Sequence, residues 1–243
     1  MSEPVQVNDH LLLVCGEPST GKSACLRNLT NVLYLNCEAG KRLPFKPEKY
    51  CQQTITDPMQ VYEWFNWAEQ QPDIHTIVID GLNFLMDMFE TIYVLPSSNT
   101  MKMWGEYAQY FKRLMQQYVA RSSKNIIFTA HTKTALNDAA MAMETKVPIK
   151  GSLANQGIEA YFSCIVSAKK VKIKDLENYP NDLLHITDRE KGLGYKHVFQ
   201  TNVTADTVQE RMRSPMGLFE DKETFIDNDV TLVLKRLHEF YAE

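Results

Sequence analysis

The chain has no apolar run approaching the ~18 residues of a membrane-spanning helix, so none is expected. Its first residues, Met-Ser-Glu-Pro, lack the basic stretch and apolar core that direct secretion, so no signal peptide is expected. An excess of basic charge is missing too. The 26 Lys and Arg are outnumbered by 30 Asp and Glu, for a formal net charge of −4. No global positive field could hold a nucleic acid, and any contact with one has to come from local basic loops. Cysteine is sparse and odd in number, five in all: Cys15, Cys25, Cys37, Cys51 and Cys164. There is no CxxC pair and no histidine spacing that suits zinc. Cys15 and Cys37 lie in apolar runs, where a free thiol acts as a small core side chain. This usage points to a reducing, cytosolic compartment. Internal repeats and low-complexity linkers are also lacking.

What is present is an ordinary globular composition: 243 residues, 44% apolar and 23% charged. That excludes bulk disorder, and one α/β domain over 1–243 is the economical reading. Continuous apolar runs at 10–15 (HLLLVC), 32–37 (VLYLNC), 75–80 (HTIVID), 125–131 (NIIFTAH) and 161–168 predict buried strands. Helices are expected at 21–29, 58–71, 82–93, 101–121 and 229–241, with Asp57 capping the second before Pro58. The aromatic residues of the middle three are expected to pack in the core. Residues 132–151 read as a polar, mobile segment with a short helical piece around 135–143. Strands near 183–187 and 196–201 suggest an antiparallel extension. Short apolar strands alternating with helices require a mainly parallel sheet flanked by helices on both faces.

The first apolar run leads straight into Gly16-Glu17-Pro18-Ser19-Thr20-Gly21-Lys22-Ser23, a P-loop. Its glycines let successive N–H groups face a β-phosphate. Lys22 reaches the β- and γ-phosphates, and the Ser23 hydroxyl ligates magnesium. Ala24 opens the helix expected to follow, whose N-terminus would add positive potential. ATP with Mg2+ is the expected ligand pair, although no motif fixes the base. Asp80, at the tip of an apolar strand downstream, fits the magnesium-holding carboxylate that accompanies a P-loop. Glu38 ends the strand after the P-loop. In a parallel sheet the strand C-termini share one edge, so Glu38 can face the γ-phosphate and orient a water as general base. The competing reading is a solvated strand-end glutamate. Thr129-Ala130-His131 ends the fourth strand, where a polar side chain can sense the γ-phosphate.

Together GEPSTGKS, VLYLNCEAG, HTIVIDG and NIIFTAH resemble the RecA-type ATPase core over about 10–170. The resemblance is nearest to compact phage-encoded RecA-like ATPases, a group that includes single-strand annealing and recombination proteins. The stretch at 147–162 resembles that group as well. The resemblance implies that Glu38 is the catalytic base and His131 the nucleotide sensor, where RecA itself has glutamine. It implies DNA-binding loops at about 91–103 and 132–151, bringing in Lys133, Lys146 and Lys150. Asp138 and Glu144 offset some of that charge. It further implies that a late basic residue, Arg211 or Arg213, reaches a neighbouring subunit's γ-phosphate. Lys169, Lys170, Lys172 and Lys174 form a basic patch that either tracks phosphates or guards a strand edge. The partners so implied are single-stranded DNA, further copies of the chain with active sites at their interfaces, and a single-strand-binding or replication protein. The setting would be the cytoplasm of an infected bacterium. Two other functions fit the same motifs: a partner-activated ATPase clamp or helicase loader, and a P-loop small-molecule kinase.

Overall fold

The computed structural model describes residues 8–137 and 141–242. Ten strands run in chain order: β1 (Leu11–Gly16), β2 (Val32–Asn36), β3 (Tyr50–Thr54), β4 (Thr76–Asp80), β5 (Asn125–His131), β6 (Lys133–Asn137), β7 (Ala142–Lys146), β8 (Cys164–Lys172), β9 (Tyr195–Gln200) and β10 (Phe225–Asp227). The helices are α1 (Gln60–Glu69), α2 (Leu82–Phe89), α3 (Thr100–Arg113), α4 (Leu153–Gln156), α5 (Ile173–Leu176), α6 (Asp188–Leu193) and α7 (Val230–Tyr241). Eight strands form one sheet in the order β10-β9-β8-β1-β5-β4-β2-β3. From β3 to β8 neighbouring strands are parallel, and β9 and β10 extend the sheet antiparallel. The fold is thus the expected helix-flanked, mainly parallel sheet with an antiparallel C-terminal extension.

Strand alternation divides the apolar residues between two faces. Leu11, Leu13, Leu33, Leu35, Ile77, Ile79, Ile126 and Phe128 pack with the inner sides of α1, α2 and α3. Leu12, Val14, Val32, Tyr34, Val78 and Ile127 face the other way, against Cys25, Leu26, Val230, Val233 and Leu237. The same parity puts Tyr34, Asp80, Thr129 and His131 on this second face, and the register sets Asn36 beside Asp80 and Asp80 beside Thr129. The aromatics largely pack as expected, with Phe65, Phe89, Tyr107, Tyr110 and Phe111 all buried.

Several elements depart from the sequence reading. The helix expected at 21–29 is a single 3-10 turn, Ala24–Leu26. Asn28, Thr30 and Asn31 are weak helix formers. Asn31 takes φ +58 and turns the chain directly into β2. The segment is closed instead by α7, whose entry is tied down by Arg27 Nη1 donating to Asn228 O at 2.6 Å. Strand β3 has a polar sequence (YCQQT) and was not expected; as an edge strand it pairs only with β2. Residues 135–137 and 141–143 are not helical. They belong to the antiparallel hairpin β6–β7, with Thr134 Oγ1 and Thr145 Oγ1 2.8 Å apart across it. Asp138 lies outside the described residues. Residues 183–187 form no strand, because Thr187 instead opens α6 through a capping box with Glu190. The antiparallel partners of β9 are β8 and β10.

Candidate nucleotide site

The parallel strands bring β1, β2, β4 and β5 to one edge by their C-terminal ends, and the P-loop rises from β1 there. Gly16 has to be glycine, because an added Cβ would lie 2.6 Å from Ala168 O and 2.7 Å from Thr20 Oγ1. The loop turns through Ser19 at φ +64 and Gly21 at φ +97. The Thr20 hydroxyl donates to Glu17 O at 2.8 Å and braces it. Lys22 is buried, and its ammonium donates to Gly16 O at 2.9 Å and Glu17 O at 2.7 Å. Burial lowers its pKa to about 8, a cost that the nearby Glu38 carboxylate partly offsets.

Asp80 is the most connected polar group of the edge. Ser23 Oγ donates to its Oδ2 at 3.1 Å and Tyr34 OH to the same oxygen at 2.6 Å, while Thr129 Oγ1 donates to Oδ1. Three hydroxyls around one buried carboxylate satisfy its oxygens and fix its orientation. Burial, and the Asp80 charge after it, push the Tyr34 phenol well above its usual range. A serine hydroxyl and a carboxylate, both hard oxygen donors, meet at the mouth of the P-loop. That donor set fits Mg2+.

Glu38 follows β2 by two residues, and its side chain is only 8% exposed. His131 Nε2 lies 3.5 Å from its Oε1 and Lys41 Nζ 2.6 Å from its Oε2. His131 first and Lys41 next hold its carboxyl down at about 2, against the opposing effect of burial. Gly81 leaves room for this group, since a Cβ there would lie 3.1 Å from Glu38 Oε1. Asn83 fixes the tip of β5 by accepting from His131 N at 2.7 Å. The His131 Nδ1 is buried without a hydrogen-bond partner.

A cleft of about 610 Å³ runs from Pro18 to Ala24 along the loop and reaches Lys41, His131, His197 and Asn228. Ser19, Gly21, Lys22 and Ser23 line it, and Glu17 and Gly16 turn instead to a second groove of about 420 Å³ behind the loop. That groove is bounded by Thr132, Thr134, Thr145, Lys169 and Lys170. Residues expected to bind DNA therefore divide. Lys169 and Lys170 share the groove with the hairpin; Lys133 is exposed on β6; Lys150 sits apart, beside α2, on Glu90 and Asp87. Lys146 lies 3.1 Å from Glu144, and Lys169 pairs with Glu210. Arg211 is held by Glu144 and Glu159, and Arg213 donates to Glu159 O at 2.6 Å. Both arginines are anchored inside this chain, away from the P-loop cleft.

Sequence reading did not find Tyr34, Lys41 and Asn83. Tyr34 carried a signal, a phenol within the buried apolar run of β2. Lys41 and Asn83 carried none, because their roles depend on a turn and on a helix start that only the fold positions.

An AAA domain family model matches residues 9–209 of the chain. A thymidine kinase of Enterobacteria phage T4 is 41% identical over 49 residues, covering 20% of this chain. The chain spans about a quarter of that relative's length, 24%. Matched over most of its length, the chain belongs to the AAA domain family and carries a P-loop α/β fold. No helix among the described residues is long and apolar enough to cross a membrane.

Proposed function

We propose that this AAA-domain ATPase is a RecA-like protein that hydrolyses ATP while acting on single-stranded DNA, in recombination or replication of the phage type. One observation carries the reading. Strand β5 ends at His131, beside Glu38, and the β6–β7 hairpin begins at Lys133, with Thr132 N bonded to Gly16 O at 3.1 Å. A group placed to meet a γ-phosphate and a surface hairpin are thus two residues apart, where β5 passes into β6. Ligand state at either end can bias the other.

In the hydrolysis step Glu38 orients a water for in-line attack on the γ-phosphorus and accepts its proton, while the bond to the β-phosphate oxygen breaks. ADP and phosphate result. Lys22 stabilises charge on the phosphate oxygens, and Thr129 and Tyr34 keep Asp80 oriented. Magnesium, held by Ser23 and Asp80, would neutralise the polyphosphate. The rate gain comes from positioning and electrostatics. Assembly into oligomers with shared sites belongs to the same proposal; for Arg211 or Arg213 to enter a neighbour's cleft, its pairing with Glu144 or Glu159 has to open.

A second reading has its own support. The hairpin exposes Leu136, Met141 and Met143, and most nearby cations are matched by carboxylates, as suits a clamp driven by a protein partner. The local likeness to a thymidine kinase raises phosphoryl transfer to a small acceptor as a third. The rate of ATP hydrolysis with and without single-stranded DNA separates them. Stimulation of tenfold or more is expected. Hydrolysis indifferent to DNA moves the function to a partner, and ADP release that requires a nucleoside moves it to a kinase.

A further inference from the structure

The sharpest unexplained arrangement is the ion pair on the general base. Lys41 Nζ stands 2.6 Å from Glu38 Oε2, yet the lysine side chain is 56% exposed and the glutamate only 8%. The two therefore differ in freedom: the ammonium can swing through open space, and the carboxylate is confined between His131 and Gly81. The backbone beneath Lys41 is fixed. Ala39 at φ +50 and Gly40 at φ +80 make a tight turn. Asn36 braces both of its ends, accepting from Glu38 N at 3.0 Å and donating to Lys41 O at 2.7 Å, and Lys41 N closes the turn on Glu38 O at 3.1 Å. An added Cβ on Gly40 would meet nothing within 4 Å, so the space beside the turn at that point is open. Lys41 also lines the cleft together with Lys22, Ser23 and His131. The late arginines, by contrast, are tied to Glu144 and Glu159.

We propose that Lys41 is the γ-phosphate-reading cation of this site, supplied by the same chain: on arrival of a nucleoside triphosphate its ammonium leaves Glu38 for the γ-phosphoryl oxygens, and Glu38 is released to the attacking water. A nucleoside diphosphate offers no such oxygens, so with it the ion pair stays closed. The pair acts as a gate that keeps the base occupied until the group to be cleaved is present. Lys22 and Lys41 facing one cleft raise the positive potential there, and their mutual repulsion contributes to the lowered pKa of Lys22. This inference rests on Glu38 being the base only in its second half; the binding half stands without it.

The test is equilibrium binding of a non-hydrolysable ATP analogue and of ADP, each with Mg2+, to the full chain and to K41M, K41R and E38Q. In K41M the preference for triphosphate over diphosphate should fall about tenfold or more, as expected for a lost charge-assisted contact. ADP affinity should stay within about twofold of the parent, which also reports that the P-loop has folded. K41R should keep most of the preference. In E38Q the preference should rise, because the lysine no longer has a carboxylate to leave. An unchanged preference in K41M overturns the inference whatever happens to turnover. An unchanged preference in E38Q overturns the exchange. Normal ATP hydrolysis by E38Q would instead remove Glu38 as the base and leave the binding result of K41M to be judged by itself.

Discussion

Two cation-bearing regions flank the P-loop, and they are built on opposite plans. In the strand-tip cleft the Lys22 ammonium has backbone carbonyls as its hydrogen-bond partners, so its full charge is kept for a ligand. Behind the loop, Lys146, Lys169 and Arg211 are each matched to a carboxylate, as is Lys150 farther off beside α2. A matched cation contributes little net attraction, whereas a buried one with no ion-pair partner costs desolvation that an arriving anion can repay. The location of charge is therefore a poor guide to anion binding in this chain, and its pairing is a good one. Lys41 lies between the plans, matched to Glu38 but free to move.

That contrast can be broken in four places. The largest effect is expected at Lys22. Lys22→Ala should weaken ATP binding on the order of a hundredfold, read by nucleotide titration; a change of twofold would show that the unmatched cation is idle. Asp80→Ala comes next, since it removes the acceptor of Ser23, Tyr34 and Thr129 together. Stability should fall by about 1–3 kcal/mol in denaturant titration, and magnesium-dependent hydrolysis should be lost.

The third effect is a pH dependence. Lys22 in the free protein titrates at about 8, below its ordinary value, because it is buried. Above that pH the Lys22 amine of the free protein is neutral, and binding a polyphosphate against its charged form requires uptake of a proton. ATP affinity should be flat from pH 6 to 7.5 and then fall by up to about tenfold per pH unit. The Lys22→Ala variant should lack the slope. The smallest effect concerns the matched region. Lys133 has no carboxylate within 4 Å among the described residues, and Lys146 has Glu144 at 3.1 Å. Lys133→Ala should reduce the salt dependence of single-stranded DNA binding by about one unit of slope, and Lys146→Ala should barely change it.

The same contrast describes what could be read from the sequence. The edge of the sheet was legible because its signals are local. GEPSTGKS carries its chemistry in consecutive residues, and unbroken apolar runs mark β1, β2, β4 and β5. Once those strands are parallel, Glu38, Asp80 and His131 must share an edge. Other parts of the molecule were not legible, for separate reasons. The β6–β7 hairpin is polar and exposed, so no burial pattern distinguishes strand from helix there. Strand β3 has a neighbour on one side only and needs no continuous apolar run. The turn Ala24–Leu26 replaces a helix because α7, some two hundred residues later in sequence, covers the same face. Pairings such as Arg211 with Glu144 join residues 67 apart and leave no trace in local spacing.

The measurement that bears most directly on the account is ATP binding and single-turnover hydrolysis by Glu38→Gln beside the parent chain. The substitution keeps the shape and removes the base. Binding within a few-fold of the parent, with cleavage slowed by about a hundredfold or more, is the predicted result. Cleavage at the parent rate would contradict it and leave the buried carboxylate between His131 and Lys41 without a catalytic role.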